Sequence, residues 1–134
     1  MGLFVIDPMS RIPVYEQLIR QLERFVLTGT MQPGDQVPSV RSLSPALSIN
    51  PNTISKAYGE LAARGVIQAV PGRGYFICPD AKELLSKLER GKLEQRRALC
   101  RELALGGVTR NEVLTSAAEG YDSAQNTLQT EERT

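Results

Sequence analysis

The amino-acid sequence predicts a mainly α-helical fold with one small β-hairpin, a winged helix-turn-helix followed by a two-helix C-terminal element. Three observations predict it. Apolar residues recur at helical spacing from Val14 to Val26 and again from Ile54 to Ala62, the second run opened by Asn50-Pro51. After Gly65 the period shortens to that of strands, on either side of the turn Pro71-Gly72-Arg73-Gly74. A helical stripe then resumes at Ala81 and lasts, with interruptions, to Leu103.

Each element has its own local warrant. Leu3-Phe4-Val5-Ile6 is a short β-like stretch ended by Asp7-Pro8. From Pro13, the residues Val14, Leu18, Ile19, Leu22, Phe25 and Val26 form one apolar face, and Gly29 suits a C-terminal cap. Pro33-Gly34-Asp35 is a turn, and Val37-Pro38 keeps the chain extended up to Ser39, the expected N-cap of a short helix with Val40, Leu43 and Leu47. Pro45 either kinks that helix or ends it, with a restart capped by Ser44. Asn50-Pro51 caps the next helix, whose apolar set is Ile54, Ala57, Tyr58, Leu61 and Ala62. Val66–Val70 and Tyr75–Cys78 form the hairpin. Asp80 with Glu83, and Thr109 with Glu112, have capping-box spacing and open two further helices separated by Gly106-Gly107. The expected organisation is a winged helix over 10–79, a helical region over 80–122 and a polar, disordered tail over 123–134.

Composition excludes several classes of function. With 134 residues, 41% of them apolar and 23% charged, and a mean hydropathy of -0.23, the chain has the balance of a soluble globular protein. No apolar run approaches the roughly 18 residues of a membrane span, and Leu3–Ile6 lacks the basic flank of a signal peptide, so a cytoplasmic location is expected. Histidine is absent, which removes the commonest general base and metal ligand. Cys78 and Cys100 form neither a disulfide framework nor a zinc site; buried thiols are the expectation, with Arg97 and Arg101 keeping a redox role open for Cys100. No catalytic constellation, metal site or cofactor site is expected. Sixteen basic residues against fifteen acidic leave a charge of +1, so the chain cannot coat nucleic acid by bulk charge.

Residues 10 to 78 resemble the bacterial GntR-type transcription regulators. Pro33-Gly34-Asp35-Gln36-Val37-Pro38-Ser39-Val40-Arg41 is similar to the family's PGxxLPSxR signature, and Asn50 through Tyr58 is similar to its recognition helix. Pro13-Val14-Tyr15-Glu16-Gln17-Leu18 resembles the start of the first helix, while Gly65-Val66-Ile67 and Pro71–Ile77 resemble the strand and wing. Two helices after the wing, in place of a large ligand domain, resemble the small YtrA-type branch. Pro45 and Gly59 depart from the pattern. The resemblance implies a DNA-binding regulator of transcription, most simply a repressor.

The residues admit that role on physical grounds. Asn52, Thr53, Ser55 and Lys56 are short or polar, stand near a helix N-terminus, and let a backbone approach base edges. Arg41 is a base or phosphate contact by resemblance; its rival is a surface ion pair with Glu60 or Asp35. Ser39 is a helix cap that in the family can also touch DNA. Tyr58 lies on the apolar face, with its hydroxyl reaching a phosphate as the second possibility. Pro71–Gly74 fails as a phosphate cradle, since it lacks the lysine and following helix; a plain turn or a wing tip remains. As a wing, Gly72 and Gly74 allow close approach and Arg73 stands at the minor groove.

Residues 1–80 hold seven basic and six acidic residues, so each subunit contributes few cations to a DNA surface. Two subunits on one operator supply more. The stripe of Leu84, Leu85, Leu88, Leu99 and Leu103, completed by Val113, Leu114, Ala117 and Tyr121, exceeds the needs of a winged helix and is expected to form a homodimer. The expected partners are therefore an operator in double-stranded DNA and a second copy, with no membrane. Residues 81–134 are too short for an enclosed effector pocket. The rival reading is a winged-helix module that binds a protein through the same faces.

Overall fold

The computed structural model describes residues 3–132, with side chains to residue 129. Among the described residues, five helices and one hairpin follow in the order α1 (Val14–Thr28), α2 (Val40–Leu47), α3 (Pro51–Ala63), β1 (Ile67–Val70), β2 (Gly74–Ile77), α4 (Ala81–Leu105) and α5 (Arg110–Glu132). They fall into two compact units that divide between Leu88 and Glu89.

In the first unit, α1 and α2 pack on α3, and α3 packs on β1. The caps expected at Ser39 and Asn50 are formed. Ser39 accepts the Ser42 N–H at 3.0 Å, and the Asn50 side chain accepts the Asn52 N–H at 2.8 Å. Gly29, at φ 82, closes α1 in the left-handed region that a side chain would resist. Pro45 neither ends α2 nor forces a restart: one helix runs from Val40 to Leu47. The proline sits so near the C-terminus that only the bond to Arg41 is forfeited before Ser48 turns left-handed at φ 55. Ser44, free of capping duty, donates to the Ile49 carbonyl at 2.6 Å.

The hairpin is antiparallel, with Ile67 opposite Ile77 and Val70 opposite Gly74. Its second strand has a further neighbour. Gly34 and Val37 donate to the carbonyls of Ile77 and Tyr75, and Ile77 donates to Asp35, each at 2.9 Å. The Pro-Gly-Asp segment before α2 is thereby stitched to the wing.

Residues 3–6 are not a strand. They have no sheet partner, and side chains of α1 take that role. Gln17 accepts the Asp7 N–H at 2.9 Å and donates to the carbonyls of Asp7 and Ile12, at 2.9 and 2.8 Å. One turn on, Gln21 accepts the Val5 N–H at 2.8 Å and donates to its carbonyl. Two glutamine amides spaced i, i+4 thus stand in for a neighbouring strand, and they seat buried Phe4 edge-on against Phe25 with centroids 5.2 Å apart.

The core therefore exceeds the expected limits of 10–79: Phe4 joins it from one side, Ala81 and Leu85 from the other. Leu85, expected on a dimer face, is 3% exposed within the first unit. Leu84 is half-buried, its Cδ2 3.6 Å from where a Gly65 side chain would begin. The expected Asp80–Glu83 capping box does not form: neither carboxylate accepts the other's backbone N–H, and Glu83 instead pairs with Lys87 at 3.4 Å.

In the second unit the Thr109–Glu112 capping box does form, with bonds of 2.8 and 3.1 Å. The tail expected to be disordered from 123 is helical to Glu132, because no Gly or Pro follows Gly120 and extending a formed helix needs no new nucleus. Residues 133–134 of that expected tail lie outside the described residues. None of the described side chains from Glu89 to Gln129 is buried, and α4 and α5 do not pack along their lengths.

Gln17→Ala should cost about 1–3 kcal/mol in a urea melt, since its buried amide serves three partners. Gln21→Ala, whose bonds are exposed, should cost less; equal losses would mean that the buried clamp is no stronger than the exposed one.

Candidate nucleic-acid interface

The outward face of α3 carries Asn52, Ser55, Lys56 and Gly59, all exposed, with Thr53 half-buried beside them. Asn50 and Pro51 make this face possible by starting the helix abruptly, so that Asn52 and Thr53 stand in the first turn. A side-chain carbon added to Gly59 would meet nothing within 4 Å, so the chain itself gains no packing from that gap. Lys56 is not simply solvated. Its ammonium lies 3.9 Å from the centroid of the Tyr15 ring on α1, a contact between distant segments that no local spacing signals.

Ser39 and Arg41 open α2, and both are exposed. The Ser39 hydroxyl is engaged as a cap and donates to Ser42 Oγ at 3.0 Å, which makes its first duty structural. Arg41 has no ion pair among the described residues, and both suggested rivals are otherwise engaged. Glu60 pairs with Arg64 at 3.4 Å, and the Asp35 carboxylate accepts the Gln32 N–H at 2.8 Å.

Arg73 is exposed at the hairpin turn between Gly72, at φ 77, and Gly74, at φ 114. Its N–H donates to Val70 at 2.9 Å, and its carbonyl accepts from Gln36 Nε2 at 2.8 Å. Both backbone groups are thus satisfied, and the guanidinium forms no ion pair among the described residues. Sequence reasoning passed over Gln36, which occupies a freely variable place in the signature.

Tyr58 must be removed from the contact set. It is 1% exposed, and its hydroxyl donates to the Pro38 carbonyl at 2.6 Å, while its ring meets Tyr75 edge-on at 5.4 Å. A hydroxyl so engaged reaches no phosphate. Burial, reinforced by Tyr75, pushes the phenol well above the ordinary tyrosine range. Burial and the charge of Asp80 likewise push the Cys78 thiol up, away from the reactive thiolate. Arg97, one of the cations near Cys100, is paired with Glu94 at 3.2 Å.

The dimer set separates in the same way. Leu88, Leu99, Leu114 and Tyr121 are exposed, Leu103 and Val113 half-buried, and Leu85 is the member lost to the winged-helix core. Leu93 and Leu105, exposed on α4, were not anticipated. No described helix is long and apolar enough to cross a membrane.

Because the Tyr58 phenol stays protonated in the folded chain, the unfolded chain loses this proton first once the pH passes about 10. Stability should therefore be intact below that pH and fall above it. Tyr58→Phe should cost about 1 kcal/mol near neutrality, the worth of the lost bond. In melts taken across pH 9 to 11 it should also flatten the alkaline decline. Equal slopes in the two proteins would acquit Tyr58.

Residues 14–77 match the family described as bacterial regulatory proteins, gntR family. The chain is 50% identical over 80 residues to the HTH-type transcriptional repressor YtrA of Bacillus subtilis, a stretch covering 60% of this chain and 62% of that protein. It thus spans a little under two thirds of that repressor's length. YtrA from Sulfolobus acidocaldarius, a GntR-family transcription factor of known structure, is 30% identical with a TM-score of 0.59, covering 74% of this chain and 99% of its own. The DNA-binding domain of AraR, solved in complex with operator ORX1, is 26% identical with a TM-score of 0.50, covering 55% of this chain and 92% of its own.

Proposed function

Because the chain belongs to the GntR family of bacterial regulatory proteins, we propose that it is a sequence-specific DNA-binding repressor of transcription that binds a palindromic operator as a homodimer. The observation that carries this reading is the set of side chains the fold leaves unspent. Arg20 and Arg64 are paired with glutamates, whereas Arg41 and Arg73 form no ion pair among the described residues and stand exposed on α2 and the wing. The short polar face of α3 accompanies them. In this reading α3 enters the major groove with Asn52, Thr53, Ser55 and Lys56 at base edges, and Gly72 and Arg73 meet the minor groove. Lys56 leaves Tyr15 or keeps it as the operator requires. The repressor of Bacillus subtilis and the operator-bound relative support the assignment.

The second unit supports the second copy. Most helical stability in proteins comes from packing, yet from Glu89 onward α4 and α5 bury no described side chain, and Leu99, Leu114 and Tyr121, with Leu88 before them, are exposed. A partner's matching helices would cover them. The dimer would then hold two copies of α3 about 34 Å apart, one helical turn of DNA. Joining two half-site binders raises affinity by about 10² or more without a new contact.

Selection from random duplexes should enrich a palindrome, and a preference for sequence, not low-salt binding to any duplex, is the required result. Failure to enrich any sequence would favour a protein partner for these faces. On the enriched duplex, Arg41→Ala should cost about 1–3 kcal/mol and relax one position if it reads a base. If it touches phosphate, binding should weaken evenly and the salt slope shrink by about one. Light scattering should find a dimer, with Leu99→Glu shifting it toward monomer; a monomer at micromolar concentration with and without that duplex would refute the homodimer.

A further inference from the structure

We propose that Gln36 is a positioning residue for the wing, holding the Arg73 turn through the hydrogen bond from its amide to the Arg73 carbonyl. The inference rests on the wing reading given above and adds to it a residue that sets where the arginine stands.

The turn needs such a support. Gly72 and Gly74 both lie at positive φ, at 77 and 114, so the residues flanking Arg73 are those with the most backbone freedom to lose. A charge on a loose loop gives up that freedom when it binds, and affinity falls accordingly. The Gln36 bond, 2.8 Å long across 37 residues of sequence, reduces this cost in advance. The opposite side of the contact fits it. A side-chain carbon on Gly74 would lie 3.1 Å from Gln36 Nε2, so the missing side chain leaves the amide its room.

The base from which Gln36 reaches is fixed. Its neighbours Asp35 and Val37 are bonded to β2 on either side, and Gln36 itself is bridged to Phe76. Two residues on, the Pro38 carbonyl is held by Tyr58, and α2 begins with its cap at Ser39. The side chain thus refers the wing tip to the same segment that carries Arg41. The chemistry is specific. The partner is a carbonyl, so a donor of this length is required, and a carboxylate would present lone pairs to lone pairs. Gln36 is exposed, so it owes nothing to core packing.

The test uses the full chain, Gln36→Met, which keeps length and loses the donor, Arg73→Ala, and the double variant. In free protein, amide hydrogen exchange at Arg73 and Gly74 should quicken in Gln36→Met while the melting temperature holds. On the duplex enriched by the wild-type protein, Gln36→Met should weaken binding about two- to ten-fold, the worth of one hydrogen bond. It should cause no further loss in the Arg73→Ala background. Unchanged exchange, or losses that simply add, would overturn the role of Gln36 and leave the wing intact. Full affinity in Arg73→Ala would overturn the wing reading itself.

Discussion

The hydrogen bond from buried Tyr58 to the Pro38 carbonyl is the constraint on which the candidate interface depends. A phenol can enter a core only if its hydroxyl finds a partner, because an unpaired buried group costs more than a made bond returns. Here the partner is the carbonyl just before the Ser39 cap, so the start of α2 is fixed against α3 by a side chain and not by turn geometry alone. The same ring lies edge-on to Tyr75 in β2, which joins the wing to the junction. Two helices and a hairpin that share little backbone bonding are thereby held in one arrangement.

Charge is used sparingly on this frame. The first 80 residues carry seven cations and six anions, and the fold sorts the cations by duty. Arg64 bridges Glu23 of α1 and Glu60 of α3, and Arg20 answers Glu16 along α1. These pairs are solvent-accessible and each adds little to stability. Their larger effect is subtraction, since paired cations offer little to an outside anion. With Arg20 and Arg64 paired, Arg41 and Arg73 are left as exposed cations that form no ion pair among the described residues.

Much of the fold was legible because its signals are short. Ser39, Asn50 and the Thr109–Glu112 pair act on amides two or three residues away, and the faces of α1 and α3 follow from spacing alone. What escaped was long in sequence or settled by competition. Gln17 and Gln21 bond to segments 10 and 16 residues away, so Leu3–Ile6, which has strand composition, meets a helix instead of a sheet. Spacing assigned Leu85 to an outer stripe, yet the core of the first unit claims it. Glu83 had two local partners within reach and took the lysine. At the candidate interface the outward residues were readable on α2 and α3, and Arg73 on the wing. The contacts that orient them, from Tyr15 and Gln36, join segments that only the folded chain brings together.

The strap that Gln17 and Gln21 hold has a consequence for modularity. The stretch that identifies the family begins at residue 14 and ends at 77, but Phe4 lies before it and Ala81 and Leu85 lie after it, all within one core. The transplantable unit is therefore longer than its signature. A graft cut at the signature's edges would carry a vacancy beside Phe25 and an idle buried amide at residue 17, flaws invisible in any alignment of the motif. Recombination that respects residues 4 to 85 moves a finished object, whereas recombination that respects the motif moves most of one.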